Sequence, residues 1–101
     1  MSYILYMRFD WSPEKNKWLA ENRGITFEEM IYLIDEGHLL AVLKHSKKAN
    51  QKIFVVEREG YAFNAPFVEE QDGTCFLKTI YPSRASTKRY IGDKNEKDTA
   101  H

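Results

Sequence analysis

Between Lys52 and Tyr81 the chain alternates strand-forming runs with glycine turns, and this stretch constrains the fold more than any other. Lys52-Ile53-Phe54-Val55-Val56-Glu57-Arg58 is β-branched and aromatic, which suits a pleated, half-buried surface. Glu59-Gly60 follows as a tight hairpin turn, since glycine reaches positive φ without steric cost. Tyr61 to Glu70 is the returning strand, Asp72-Gly73 a second hairpin signal, and Thr74 to Tyr81 the last strand. Pro66 interrupts the middle run. A proline nitrogen cannot donate to a ladder, so the position predicts a sheet edge or a bulge. Leu39 to His45 reads as a preceding strand, joined to the hairpins by the polar loop Ser46 to Gln51, and Tyr3 to Phe9 as the first.

Helix signals fall between the first two strands. Ser12-Pro13 offers a capping hydroxyl and a first-turn proline, so a helix is expected from about 13 to 22, with Trp11, Trp18 and Leu19 sharing its buried side and Gly24 ending it. Thr26-Phe27-Glu28-Glu29 has the spacing of a capping box, in which hydroxyl and carboxylate satisfy each other's backbone donors. The helix it opens runs to about Asp35, with Phe27, Met30, Ile31 and Ile34 as its core stripe. The order βααββββ predicts an α+β fold: a mainly antiparallel sheet with two helices packed on one face.

The 101 residues suffice for one domain, expected over 1–91, with 92–101 a polar, flexible tail. The single cysteine, Cys75, excludes an internal disulfide and reads as a small buried hydrophobe. No run approaches the length of a membrane span and no basic, apolar leader precedes Arg8, so a soluble cytoplasmic protein without membrane contact is expected. Net charge is zero, yet the charge is blocked: residues 44–58 carry five basic and one acidic side chain, whereas 59–73 carry four acidic and none basic.

Phosphate loops, nucleophile elbows and metal-binding histidine pairs are missing from the sequence, and adjacent carboxylates such as Glu28-Glu29 point apart. Two basic segments remain, each at a strand end where a rigid sheet can position polar side chains. The first is Lys44-His45-Ser46-Lys47-Lys48 and the second Ser83 to Tyr90. Arg84 and Arg89 offer planar forks for phosphate, Lys88 a point charge, and Thr87 and Ser86 hydroxyl donors. Tyr81 and Tyr90 can stack on a base or bond a phosphate. The set suits RNA cleavage without metal or other cofactor, because the ribose 2′-OH is an internal nucleophile. The protein must then align the strand, stabilise phosphate charge and move two protons. His45 is placed to titrate in that reaction, His38 reads as structural, and His101 as inert.

Three segments together resemble BrnT-type toxins of type II toxin–antitoxin systems. They are Phe9-Asp10-Trp11-Ser12-Pro13-Glu14-Lys15-Asn16, Gly24-Ile25-Thr26-Phe27-Glu28-Glu29, and Phe76 to Arg84 with Thr87-Lys88-Arg89-Tyr90. The likeness runs in order from about 8 to 91. It implies a RelE/ParE-like fold and a metal-independent endoribonuclease that inhibits translation. It also implies a cognate antitoxin of ribbon-helix-helix type, with operator DNA met only through the antitoxin complex. The family's functional arginine falls on Arg84, with Thr87 and Lys88 adjoining. Lys44, Lys47, Lys48, Tyr81, Arg89 and Tyr90 are the expected RNA contacts, and His45 a candidate acid or base. Asn22-Arg23, Ala85 and the long strand bearing Pro66 depart from the family pattern. The alternatives are a non-catalytic binding module of the same fold, or a ParE-like toxin directed at gyrase.

Overall fold

The computed structural model describes residues 7–92. Most of the predicted first strand, residues 3–6, lies outside them, as does the predicted tail beyond Gly92. The elements are β1 (Arg8–Trp11), α1 (Pro13–Arg23), α2 (Phe27–Asp35), β2 (Leu39–Lys44), β3 (Gln51–Arg58), β4 (Tyr61–Glu69), β5 (Thr74–Leu77), β6 (Tyr81–Pro82) and α3 (Arg84–Tyr90). The sheet order is β1-β5-β4-β3-β2, with β6 also paired to β4. Only the β1–β5 pair is parallel among the described strands. The architecture is thus α+β with a mostly antiparallel sheet, as expected.

The turn and cap chemistry acts where the sequence places it. Glu59 and Gly60 take φ of 53° and 82°, the doubly positive geometry whose twist matches an antiparallel hairpin. Ser12 Oγ accepts from Lys15 N at 3.2 Å, and Gly24 ends α1 at φ 65°. Thr26 Oγ accepts from Glu29 N at 3.1 Å, but only half of the capping box forms. The Glu29 carboxylate is drawn away to Arg58 Nε at 2.7 Å, a charge-assisted bond stronger than the one it would make to a backbone amide. Ile25 and Met30, the two positions of a hydrophobic staple, both enter the core.

Strand alternation sorts the two sheet faces. Phe9, Trp11, Phe54, Val56, Ala65, Phe67, Cys75 and Leu77 face α1 and α2, where they meet Leu19, Phe27, Met30 and Ile34. The Phe54 and Phe67 rings stack at 4.0 Å and 11°. Each large apolar side chain fully buried here contributes roughly 1.5–3 kcal/mol. Cys75 is buried, and burial raises its thiol above the usual value. Trp18 does not share that buried side: it is 41% exposed, with Lys15 Nζ at 4.2 Å and the Arg23 guanidinium at 4.9 Å from its ring. Leu19 is the one fully buried residue of α1, so cation–ring contacts take the place of core packing for the tryptophan.

The end of the sheet departs from the sequence reading. The expected strand from Thr74 to Tyr81 is two, β5 and β6, with Lys78–Ile80 between them. Pro66 explains the break. Its missing N–H falls on the β5/β6 side of β4, where a continuous strand would have left one carbonyl without a donor. Lys78 N still donates to Pro66 O at 2.8 Å. Proline therefore sits in a central strand because its neighbour is interrupted, which agrees with the expected irregularity and not with an edge. The segment after Pro82 is a third helix, longer than the single turn or extended arm expected. It lies on the sheet face opposite α1 and α2, over Ala62 and Asn64.

Candidate functional site

α3 is built from local signals and anchored by hydroxyls. Pro82 closes β6, and Ser83 at φ −127° caps the helix, its Oγ accepting from Ser86 N at 3.1 Å. Ser83 N donates to Ala62 O at 2.9 Å, which ties the helix start to β4. The Thr87 hydroxyl donates to Ser83 O and accepts from Ala62 N, both at 2.8 Å. Beneath it the buried Ser86 Oγ donates to Asn64 Oδ1 at 2.8 Å, and Asn64 Nδ2 approaches the Tyr81 hydroxyl at 3.5 Å. Thr87 was an expected RNA donor, but its one hydroxyl proton is committed within the fold.

The outer face of α3 carries Arg84, Lys88 and Arg89, all exposed. Arg84 and Lys88 stand one turn apart, which sets their Cβ atoms about 5–6 Å from each other. Among the described residues, no carboxylate lies within ion-pair distance of either. The other arginines are occupied. Arg58 holds Glu29 and Gly24 O, Arg23 donates to Ile80 O at 2.6 Å, and Arg8 meets Asp72. Arg89 lies 5.4 Å from the Tyr90 ring. α3 is thus an ordered helix presenting cations whose counter-charge must come from outside the described chain.

The second basic segment is elsewhere. His45 N donates to Gln51 O at 3.0 Å, where β2 and β3 meet. From Gln51 to Glu57, the residue opposite Ala62, β3 spans roughly 20 Å at about 3.3 Å per residue. His45, Lys44, Lys47 and Lys48 therefore do not join Arg84 in one site, since side chains cannot bridge that gap around a single phosphate. His45 Nδ1 accepts the backbone N–H groups of Lys47 and Lys48 at 3.1 and 3.2 Å. That arrangement assigns the neutral ring its proton on Nε2.

His38 is structural, as expected: its Nδ1 lies 3.0 Å from Glu57 Oε1. The Gly60 N–H and then His38 hold the Glu57 carboxyl below the usual range, so it stays ionised near neutrality and is no general acid. No group of three or more metal-ligating side chains occurs among the described residues. No described helix is long and apolar enough to cross a membrane. The sequence reading missed Asn64, and it took Ser86 for a phosphate donor, whereas the two are the buried pair that seats α3. A lone amide inside the apolar run of β4 was the available signal.

The fold is that of a known toxin. The chain superposes on the 1.1 Å crystal structure of the Brucella abortus ribonuclease toxin BrnT with a TM-score of 0.57 and 14% sequence identity, over 76% of this chain and 96% of that one. No family model matches the sequence, and no curated protein does.

Proposed function

We propose that this chain is a toxin-type endoribonuclease that inhibits translation and is neutralised by a cognate antitoxin. The observation that carries the reading is the exposed, unpaired Arg84–Lys88 pair on a helix pinned to a BrnT-like sheet. The 2′-OH of the RNA loses its proton as it attacks the adjacent phosphorus, and the 5′-oxygen takes one up as it leaves, so proton transfer accompanies the alignment and charge stabilisation asked of the protein. Arg84 stabilises the phosphorane charge, Lys88 and Arg89 hold the backbone, and Tyr90 and Tyr81 contact the bases beside it. Thr87 acts through the helix, not on the RNA. His45 and its lysines belong to a separate surface. Purified protein is expected to cut RNA in EDTA, and Arg84→Ala to leave it intact while folding normally. RNA left intact by the wild-type protein at high concentration refutes cleavage, as does undiminished cutting by the variant.

A second reading has an observation of its own. Thr87 is committed and Ala85 supplies no charge, so α3 has few groups to move protons. The same helix would then bind RNA without cutting it. Gel-shift retention of RNA by the wild-type protein, lost in Arg84→Ala, with no cleavage by either, distinguishes this module from the enzyme.

A further inference from the structure

Asn64 is a polar side chain buried in an apolar strand, and its hydrogen bonds do not close. It is 7% exposed and sits opposite Tyr81 in the β4–β6 register, under α3. Its Oδ1 accepts from Ser86 Oγ at 2.8 Å. Its Nδ2 carries two hydrogens, and the one described contact of that atom is the Tyr81 oxygen at 3.5 Å, long for a hydrogen bond. The phenol oxygen is the acceptor there, so Tyr81 keeps its own proton. Among the described residues nothing accepts that proton or the second hydrogen of Asn64. Buried donors are normally paired, so two left over side by side call for an acceptor from outside. Tyr81 is half-buried, which leaves its hydroxyl within reach of one.

The surroundings narrow the kind of acceptor. Arg84, Lys88 and Arg89 are exposed, so they meet phosphates without taking them out of water. Arg89 follows Ser86 by three residues and lies on the same side of α3. The recess under Ser86 holds no charged side chain among its described contacts. A phosphate would shed its hydration there against neutral donors alone, which is costly. A base is planar and largely apolar, and it carries neutral acceptors on its edges. Two donors 3.5 Å apart suit an oxygen, which has two lone pairs, over a ring nitrogen, which has one. Uracil and guanine present carbonyl oxygens, whereas adenine presents ring nitrogens and an amine.

We propose that the Tyr81 hydroxyl and the Asn64 amide together donate to a carbonyl oxygen of an RNA base, so that this site selects uracil or guanine over adenine. Ser86 holds Asn64 with its amide hydrogens toward the base, and Arg89 takes the phosphate beside it. The inference rests on RNA being the ligand of α3, and it concerns which base is read there, not the cleavage step.

The test is fluorescence anisotropy of the full chain with 2′-fluoro oligouridylate and oligoadenylate, which lack the 2′-OH and are not cut. Tyr81→Phe keeps the ring and is expected to lose roughly three- to tenfold in affinity for the uridylate, as one neutral hydrogen bond goes. Its affinity for the adenylate should stay as in the wild-type protein. Asn64→Asp still accepts from Ser86 Oγ but turns the Tyr81 proton inward, and at about pH 8 its carboxylate repels a carbonyl. The ratio of uridylate to adenylate affinity should fall at least as far as in Tyr81→Phe. Equal loss on both oligonucleotides in Tyr81→Phe, or no loss on either, would overturn the proposal. So would an Asn64→Asp protein that folds and keeps the wild-type ratio; if it does not fold, the Tyr81→Phe ratio decides. A wild-type protein that shows the expected ratio but cuts no RNA refutes the cleavage reading and leaves this one standing. A wild-type protein that binds neither oligonucleotide overturns both.

Discussion

Thr87→Val asks whether Thr87 serves the fold or the substrate. Valine keeps the shape of threonine and removes only the hydroxyl. Ser83 O keeps a partner, because Thr87 N also donates to it at 3.0 Å. Ala62 N–H does not: its acceptor is the lost oxygen, and Ala62 is fully buried. A buried donor stripped of its acceptor costs about 1–3 kcal/mol. In a domain of this size each kcal/mol lowers Tm by about 4–8 °C, so a fall of roughly 5–20 °C is expected. Urea denaturation should show a lower midpoint with an unchanged slope, since the exposed surface does not change. Thr87→Ser, which keeps the oxygen, should lie much nearer the wild-type protein in stability and cut RNA comparably. A Thr87→Val protein within about 0.5 kcal/mol of wild type would refute the argument. So would a Thr87→Val protein of normal stability that has lost cleavage, because the hydroxyl would then be acting on RNA.

Three further outcomes can be checked. Arg84→Ala should stay within about 0.5 kcal/mol of wild type by denaturation, as an exposed residue with no described partner. Ser86→Ala should cost about 1–3 kcal/mol by orphaning Asn64 Oδ1. The double variant with Asn64→Leu should cost less than the sum of the singles, which a double-mutant cycle measures. Glu57 has its carboxyl lowered from the ordinary 4.5 by Gly60 N–H and His38. Its contribution is therefore fully present above that value and lost as pH falls through the lower, folded one. Glu57→Gln should flatten the acid limb of the stability curve, read as Tm against pH, and an unchanged limb would count against the hydrogen bonds described.

The helix starts at Ser12 and Thr26, the stop at Gly24 and the Glu59-Gly60 turn were legible because each is decided within a few neighbouring residues. So was the core stripe of α2, whose spacing is set by the helix repeat alone. The basic character of residues 84–89 was equally plain, and with it the resemblance that pointed to the BrnT-like fold. The partners of those residues were not legible. Glu29 has the spacing of a capping residue, yet Arg58, brought beside it only when β3 packs near α2, offers a full charge. Trp18 has the composition of a core residue, yet α1 turns it outward between Lys15 and Arg23. Thr87 and Arg84 are near neighbours with the same phosphate-binding chemistry in sequence. Ala62, distant in the chain, takes the hydroxyl of the first, and nothing described takes the guanidinium of the second. The two basic segments looked alike as strand ends, and only the antiparallel register set them roughly 20 Å apart. Local sequence thus determined the elements, because caps, turns and periodicity act over one turn of chain. Tertiary structure decided which polar groups were consumed by the fold and which were left for a partner, because hydrogen bonds and ion pairs depend on distances that only packing sets.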